Sequence, residues 1–150
     1  MSKNLLIIGA NILGITAKEI AEEMACFDKV DFSDDEESAP DGTSVVCKIC
    51  EIDNLVCEYK YIFVALDDNE ERLKHITRIE EESSFKMVAL VSPRACVSSS
   101  AQVFQGSIVE PLASVGAGAI VSKGCVISQV QFWVLARCAE TEFISEATRR

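Results

Sequence analysis

VSPRACVSSSAQVFQGSIVEPLASVGAGAIVSKGCVI, residues 91–127, decides how the second half of this chain folds. Aliphatic side chains recur at every sixth position: Val91, Val97, Val103, Val109, Val115, Val121 and Ile127. Two positions before them, small residues recur at Ala95, Ala101, Ser107, Ala113, Ala119 and Cys125. A helix repeats every 3.6 residues and a half-buried strand every two, so neither demands a sustained period of six. A left-handed parallel β-helix with three flat sides does. Each hexapeptide supplies one side, the aliphatic residue points into the prism, and the small residue fits near its corner. Gly106, Gly116, Gly118 and Gly124 allow the unusual backbone turns this path requires. Each fully buried aliphatic contributes about 1.5–3 kcal/mol, so an unbroken ladder is a substantial core. Strands of an ordinary sandwich would need gaps that break the phase, and none occurs here.

Beyond Ile127 the register degrades. Trp133 and Ala139 fall on the next phased positions, but Gln131, Phe132, Val134 and Leu135 form a bulky, poorly alternating stretch. Trp133 is expected to cap the prism or to pack against another subunit. The repeat region is therefore assigned to residues 92–140, with a polar tail over 141–150.

Upstream, the periodicity is of another kind. Leu5-Leu6-Ile7-Ile8-Gly9 is a short apolar run ending in glycine, the pattern of a strand buried on both faces. Residues 12–24 place Ile12, Ile15, Ile20 and Met24 near one side of an amphipathic helix. Val30-Asp31-Phe32 predicts a second strand, Ser44–Ile49 a third and Tyr61–Leu66 a strong buried one. Asn69–Glu82 predicts a charged helix packing through Leu73, Ile76 and Ile79, and Lys86–Val91 a closing strand. Strands alternating with helices imply a parallel sheet, so the fold class is α/β plus β-solenoid, with a small Rossmann-like domain over residues 1–91.

Composition narrows the function. The formal net charge is −10, which repels phosphate backbones and anionic membrane surfaces, so no nucleic-acid partner is expected. Asp31, Asp34, Asp35, Glu36, Glu37 and Asp41 crowd one loop, and Glu80, Glu81 and Glu82 another. Most of these are read as solvated surface. No apolar run approaches the roughly 20 residues that span a bilayer, and the start lacks the pattern of a signal peptide. A cytoplasmic protein without membrane insertion is the default expectation. The seven cysteines lie among apolar neighbours and are read as small hydrophobes. Cys47-Lys48-Ile49-Cys50 is a lone CxxC with only Cys57 and His75 as nearby candidates, so no metal is expected.

A Rossmann-like unit leading directly into hexapeptide repeats resembles the sugar acetyltransferase group that includes sialic acid O-acetyltransferases and bacillosamine-pathway N-acetyltransferases. The likeness is carried by Leu6-Ile7-Ile8-Gly9-Ala10 through Gly14, by Phe32-Ser33-Asp34-Asp35, and by Phe63-Val64-Ala65-Leu66 with Asp68-Asn69 and Arg72. Leu90-Val91-Ser92-Pro93-Arg94-Ala95 and Gly124-Cys125-Val126-Ile127 extend it. The resemblance implies a nucleotide-sugar site at Gly9, Ala10, Asn11, Gly14, Asp34, Asp35, Asp68 and Asn69. It also implies acetyl-CoA lying along the β-helix between subunits of a homotrimer. Backbone N–H groups at the glycine loop and helix start suit a diphosphate, and a carboxylate such as Asp34 or Asp35 suits a uracil or ribose edge. The bland alternative is a tight turn at Gly9 and solvated aspartates.

Two departures stand out. The family's loop usually carries a second glycine and a histidine where this chain has Ile12 and Leu13. The catalytic base that the resemblance implies, a histidine preceded by an acidic residue, falls on Val134 and Leu135. Neither side chain can move a proton, and such help is worth about 10²–10⁴-fold in rate. The sequence also ends before the later coils that would build most of the acetyl-CoA groove, the pattern of a shortened or divergent catalytic half. Two functions follow: an acetyl-CoA-dependent sugar acetyltransferase, impaired or inactive as written, or a non-catalytic nucleotide-sugar-binding or scaffold protein.

Overall fold

The computed structural model describes residues 2–36 and 39–128 and, as backbone, 132–133. Strand β1 (Asn4–Ile8) is central in a parallel sheet of order β3-β2-β1-β4-β5, with β2 at Lys29–Ser33, β3 at Val45–Cys47, β4 at Tyr61–Val64 and β5 at Lys86–Met87. Helix α1 (Ile12–Glu23) joins β1 to β2, and α2 (Asn69–Glu82) joins β4 to β5. A 3₁₀ helix at Ile49–Leu55, which the periodicity did not reveal, follows β3.

The continuous apolar run of β1 is explained by two cores. Successive strand residues point to opposite faces. Leu5 and Ile7 pack with Ala17, Ile20, Phe32 and Phe63 on the α1 side. Leu6 and Ile8 pack with Ile52, Ile62, Ile76 and Ile79 on the other. Sheet and helices thus form the Rossmann-like parallel α/β unit expected from the sequence, with apolar cores on both faces of the sheet.

The expected single strand Lys86–Val91 is two strands in different sheets. β5 ends at Met87, and β6 (Leu90–Val91) belongs to the repeats. Val88 makes the transfer: its N–H donates to Ile62 O at 3.1 Å, and its carbonyl accepts Gly106 N at 2.9 Å. The apolar pattern runs straight through this change of direction, which is why it looked continuous.

From β6 onward the chain forms two-residue strands: β7 (Cys96–Val97), β8 (Gln102–Val103), β9 (Ile108–Val109), β10 (Ser114–Val115), β11 (Ile120–Val121), β12 (Val126–Ile127) and β13 (Phe132–Trp133). They lie in three parallel sheets visited in rotation, β6-β9-β12, β7-β10-β13 and β8-β11. Leu90 is opposite Ile108 and Ile108 opposite Val126, so the chain returns to the same sheet every 18 residues. The phased aliphatics converge in one cluster. Val109, Val115, Val121 and Ile127 are buried with Ala113 and Ala119, and Val91, Val97 and Val103 pack against them part-buried.

Residues just before the phased aliphatics point the other way. On one sheet these are Leu90, Ile108 and Val126, which join the α1-side core. This apolar repeat of 18 lays one sheet of the repeats on the Rossmann-like unit. Helix α2 covers a corner: a Cβ on Gly124 (φ +72°) would sit 3.0 Å from Leu73 Cδ2 and 3.1 Å from Ile76 Cδ1. Two exposed ion pairs cross the same junction, Arg94–Glu23 at 2.7 Å and Lys123–Glu80 at 2.6 Å. Val134, Leu135, Ala139 and the tail 141–150 lie outside the described residues, as does the side chain of Trp133.

Candidate functional site

Strand order places the site. β1 runs on through α1 to β2 on one side, whereas β4 lies on its other side, so connections diverge between β1 and β4. Ligands of open α/β sheets bind outside the strands' carboxyl ends at such a switch point. The loops there are residues 9–11 after β1 and residues 65–68 after β4.

One side chain joins the two loops. Asn11 Nδ2 donates to the Ala65 carbonyl at 2.9 Å, and Asn11 Oδ1 accepts the N–H of Gly14 at 2.8 Å as the N-cap of α1. Asparagine is among the best N-caps because its oxygen satisfies an otherwise unpartnered helix N–H. Ile12 and Leu13 open the helix, and their N–H groups have no intrahelical acceptor. No acidic residue occupies the first turn of α1. Its positive dipole end therefore remains available to an anion. Helix α2 is different: Asp68 caps it, its Oδ1 accepting Glu71 N at 2.8 Å, and Glu70 and Glu71 lie in its first turn. Carboxylates already complement that end.

The glycines have reasons of their own. Gly9 has φ +106°, and a Cβ there would lie 2.6 Å from the Ala65 carbonyl oxygen. A Cβ on Gly14 would lie 2.0 Å from the Gly9 oxygen. Both are required by close packing of loop, strand and helix before any ligand arrives.

The structure brings Gly9, Ala10, Asn11, Gly14 and Asp34 together at the end of β1. Asp34 faces inward: its Oδ2 accepts Ala10 N at 2.6 Å and its Oδ1 accepts Glu36 N at 3.0 Å. The carboxylate thus shapes the glycine loop, leaving the neighbouring Asp35 exposed. Asp68 and Asn69 lie at the start of α2, after the β4 loop, with Asp68 serving as cap. Ile12, where the resemblance expects glycine, is 69% exposed on the first turn of α1.

Sequence reasoning placed Arg72 in a motif but not its role. It is 5% exposed, and its guanidinium donates to Leu66 O at 2.6 Å, to Asn69 Oδ1 and to Gly124 O at 2.9 Å. Burial pushes its pKa down from the usual guanidinium value, with nearby Cys125, Asp67 and Asp68 opposing that shift.

The other shifted groups lie away from this crevice. Lys29 donates to the buried Tyr59 hydroxyl at 3.0 Å and pairs with Asp31 at 2.9 Å, while Tyr59 donates to Asp31. Lys29 opens β2, at the amino-terminal end of the parallel strands, away from the loops after β1 and β4. Burial, then the bond to Asp31, pushes the Tyr59 phenol up to about 12. In the CxxC, Cys47 is part-buried, its Sγ 3.4 Å from Ser33 Oγ, and burial raises its pKa; Cys50 and Cys57 are exposed. Among the described residues, no group of three His, Cys, Asp or Glu could hold a metal, and no helix is long and apolar enough to cross a membrane.

Comparison with known proteins agrees with this geometry. The family model described as "PglD N-terminal domain" matches residues 4–79. The acetyltransferase domain of PglB from Neisseria gonorrhoeae, solved with acetyl coenzyme A, is 29% identical with a TM-score of 0.78, over 85% of this chain and 62% of that one. A second structure of the same domain is 32% identical with a TM-score of 0.76 over the same shares. A point mutant of perosamine N-acetyltransferase from Caulobacter crescentus, solved with CoA and GDP-perosamine, is 25% identical with a TM-score of 0.68, over 83% of this chain and 62% of that one. The chain thus spans somewhat under two thirds of the length of these structures. A search of curated protein sequences finds no match. By the family match over residues 4–79, which takes in β1 to β4, α1, most of α2 and the loops after β1 and β4, this chain belongs to the sugar acetyltransferase family of the PglD and NeuD type.

Proposed function

We propose that this chain binds a nucleotide-linked sugar in the crevice between residues 9–11 and 65–69, as part of an acetyl-CoA-dependent sugar acetyltransferase. The observation that carries the reading is the N-terminus of α1, whose first turn holds no acidic residue, opening beside the Asn11–Ala65 bridge at the sheet's switch point. The N–H groups of Ile12 and Leu13 receive the diphosphate. Asp35, exposed beside the loop that Asp34 holds, accepts hydrogen bonds from the base or ribose. The perosamine N-acetyltransferase solved with a nucleotide sugar supports the ligand class, and the PglB domain solved with acetyl-CoA supports the donor.

In the same reading, the nucleotide-sugar domain ends at the Val88 transfer, and a left-handed parallel β-helix starts at β6 (Leu90–Val91), just before the expected boundary at residues 91 and 92, and continues to residue 140. The return to each sheet after 18 residues supports the helix. Acetyl-CoA, the donor substrate, lies along that helix in a homotrimer in the cytoplasm. The sugar's amine or hydroxyl attacks the thioester carbonyl, its proton passes to a base, and CoA leaves with a proton on sulfur. Leu135 at the expected base position cannot accept that proton. Transfer is therefore slow, with binding retained. The same leucine favours the second reading, a non-catalytic nucleotide-sugar-binding or scaffold protein.

Incubation with acetyl-CoA and amino-sugar nucleotides, following CoA release, separates the readings. Release above background that depends on the sugar nucleotide supports an enzyme. Background release with saturable nucleotide-sugar binding supports the binding protein, and failure to bind either ligand contradicts both the enzyme and the binding protein and leaves only the scaffold. Sedimentation equilibrium is expected to give a trimer; a monomer at micromolar concentration contradicts that part of the proposal.

A further inference from the structure

Among the described residues, every hydrogen-bond acceptor of the buried Arg72 guanidinium is a carbonyl or amide oxygen. Three of them, Leu66 O, Asp67 O and Asn69 Oδ1, belong to the segment that walls the crevice. The fourth, Gly124 O, belongs to a corner of the repeats, 52 residues away in sequence. The guanidinium is a flat, rigid fork. Moving the loop at one tine therefore moves or strains the corner at another. The other side-chain ties across the junction lack this property: Arg94–Glu23, Lys123–Glu80 and Gln105–Glu80 are exposed, and none touches residues 65–69.

We propose that Arg72 is a positioning residue that relays nucleotide occupation of the crevice to the corner at Gly124. The relay rests on the nucleotide-binding reading above. It links the sugar-holding loop to the part of the repeats where acyl transfer would be organised. Because Arg72 also fixes the Asn69 oxygen, the amide of Asn69 is left with its N–H donors to offer. The guanidinium thus sets both the shape of the crevice wall and the place of the coil.

Hydrogen exchange on the full chain, with and without saturating uridine diphosphate or guanosine diphosphate, tests the relay, with calorimetry recording binding. In the wild type, exchange is expected to slow at least threefold in residues 65–72 and also in residues 122–128. In Arg72→Lys, which keeps the charge but loses the fork, slowing persists at 65–72 and is lost at 122–128. Arg94→Met, which breaks an exposed tie, keeps both responses. Wild-type binding with no slowing at 122–128 overturns the relay whether or not the variants fold, and so does an unchanged response in Arg72→Lys. Absence of nucleotide binding by the wild type overturns the binding reading, and the relay with it.

Discussion

Asn11 Nδ2 and the carbonyl oxygen of Ala65 lie 2.9 Å apart, so one side chain caps helix α1 and ties its loop to the end of β4. The two tasks separate by mutation. Asn11→Asp keeps a good N-cap but replaces the donor with a carboxylate facing a carbonyl and an incoming phosphate. It is expected to lower nucleotide affinity at least tenfold by calorimetry. Asn11→Ala loses both functions and is expected to cost about 1 kcal/mol or more in denaturant unfolding. Equal affinities for wild type and Asn11→Asp would remove this loop from the binding site.

The corners of the repeats offer a graded stability series. Gly106, Leu112, Gly118 and Gly124 recur every six residues, all with positive φ. A methyl group added at Gly118 would meet nothing within 4 Å, so Gly118→Ala should cost only the backbone penalty of about 1–2 kcal/mol. Gly124→Ala adds contacts with Leu73 and Ile76 and should cost measurably more. Leu112 holds φ +64° while 71% exposed, so Leu112→Gly sacrifices little packing and should stabilise by about 0.5–1 kcal/mol. Urea unfolding midpoints check the order.

Alkaline pH tests the Lys29–Asp31–Tyr59 cluster. The Tyr59 phenol rises from 10.0 to about 12 in the folded protein. A raised pKa means that folding retains a proton the unfolded chain releases. Its contribution is complete below pH 10 and is lost as pH climbs towards 12, by at most about 1.4 kcal/mol per unit. Tyr59→Phe should flatten that decline in thermal melts. An identical decline in the variant would assign it to other groups.

The repeats were legible because burial there obeys one simple period, and the phased valines face inward as that period demands. The helices were legible from their apolar spacing, though Ile12, expected on the packing side of α1, is exposed on its first turn, and α2 runs over Asn69–Glu82 as expected. The division of Lys86–Val91 was hidden because both sheets want apolar residues. The docked sheet had a signal that went unread, the outward apolar triad Leu90, Ile108 and Val126. The site was legible in its location more than in its roles. Asp34 and Asp68 read as site carboxylates, but Asp34 satisfies the N–H of Ala10, which only the folded loops bring near, and Asp68 caps its own helix through Glu71 N. Arg72, an arginine among charged neighbours, gave no hint of burial, because its acceptors are main-chain carbonyls and an amide without any sequence pattern.

The loop beside Asn11 is proposed to hold a nucleotide sugar. Calorimetric titration of the full chain with uridine- and guanosine-diphosphate-linked amino sugars measures this directly. Saturable binding of at least one, near one ligand per chain and weakened in Asn11→Asp, is the expected result. No binding of either by folded protein would contradict it.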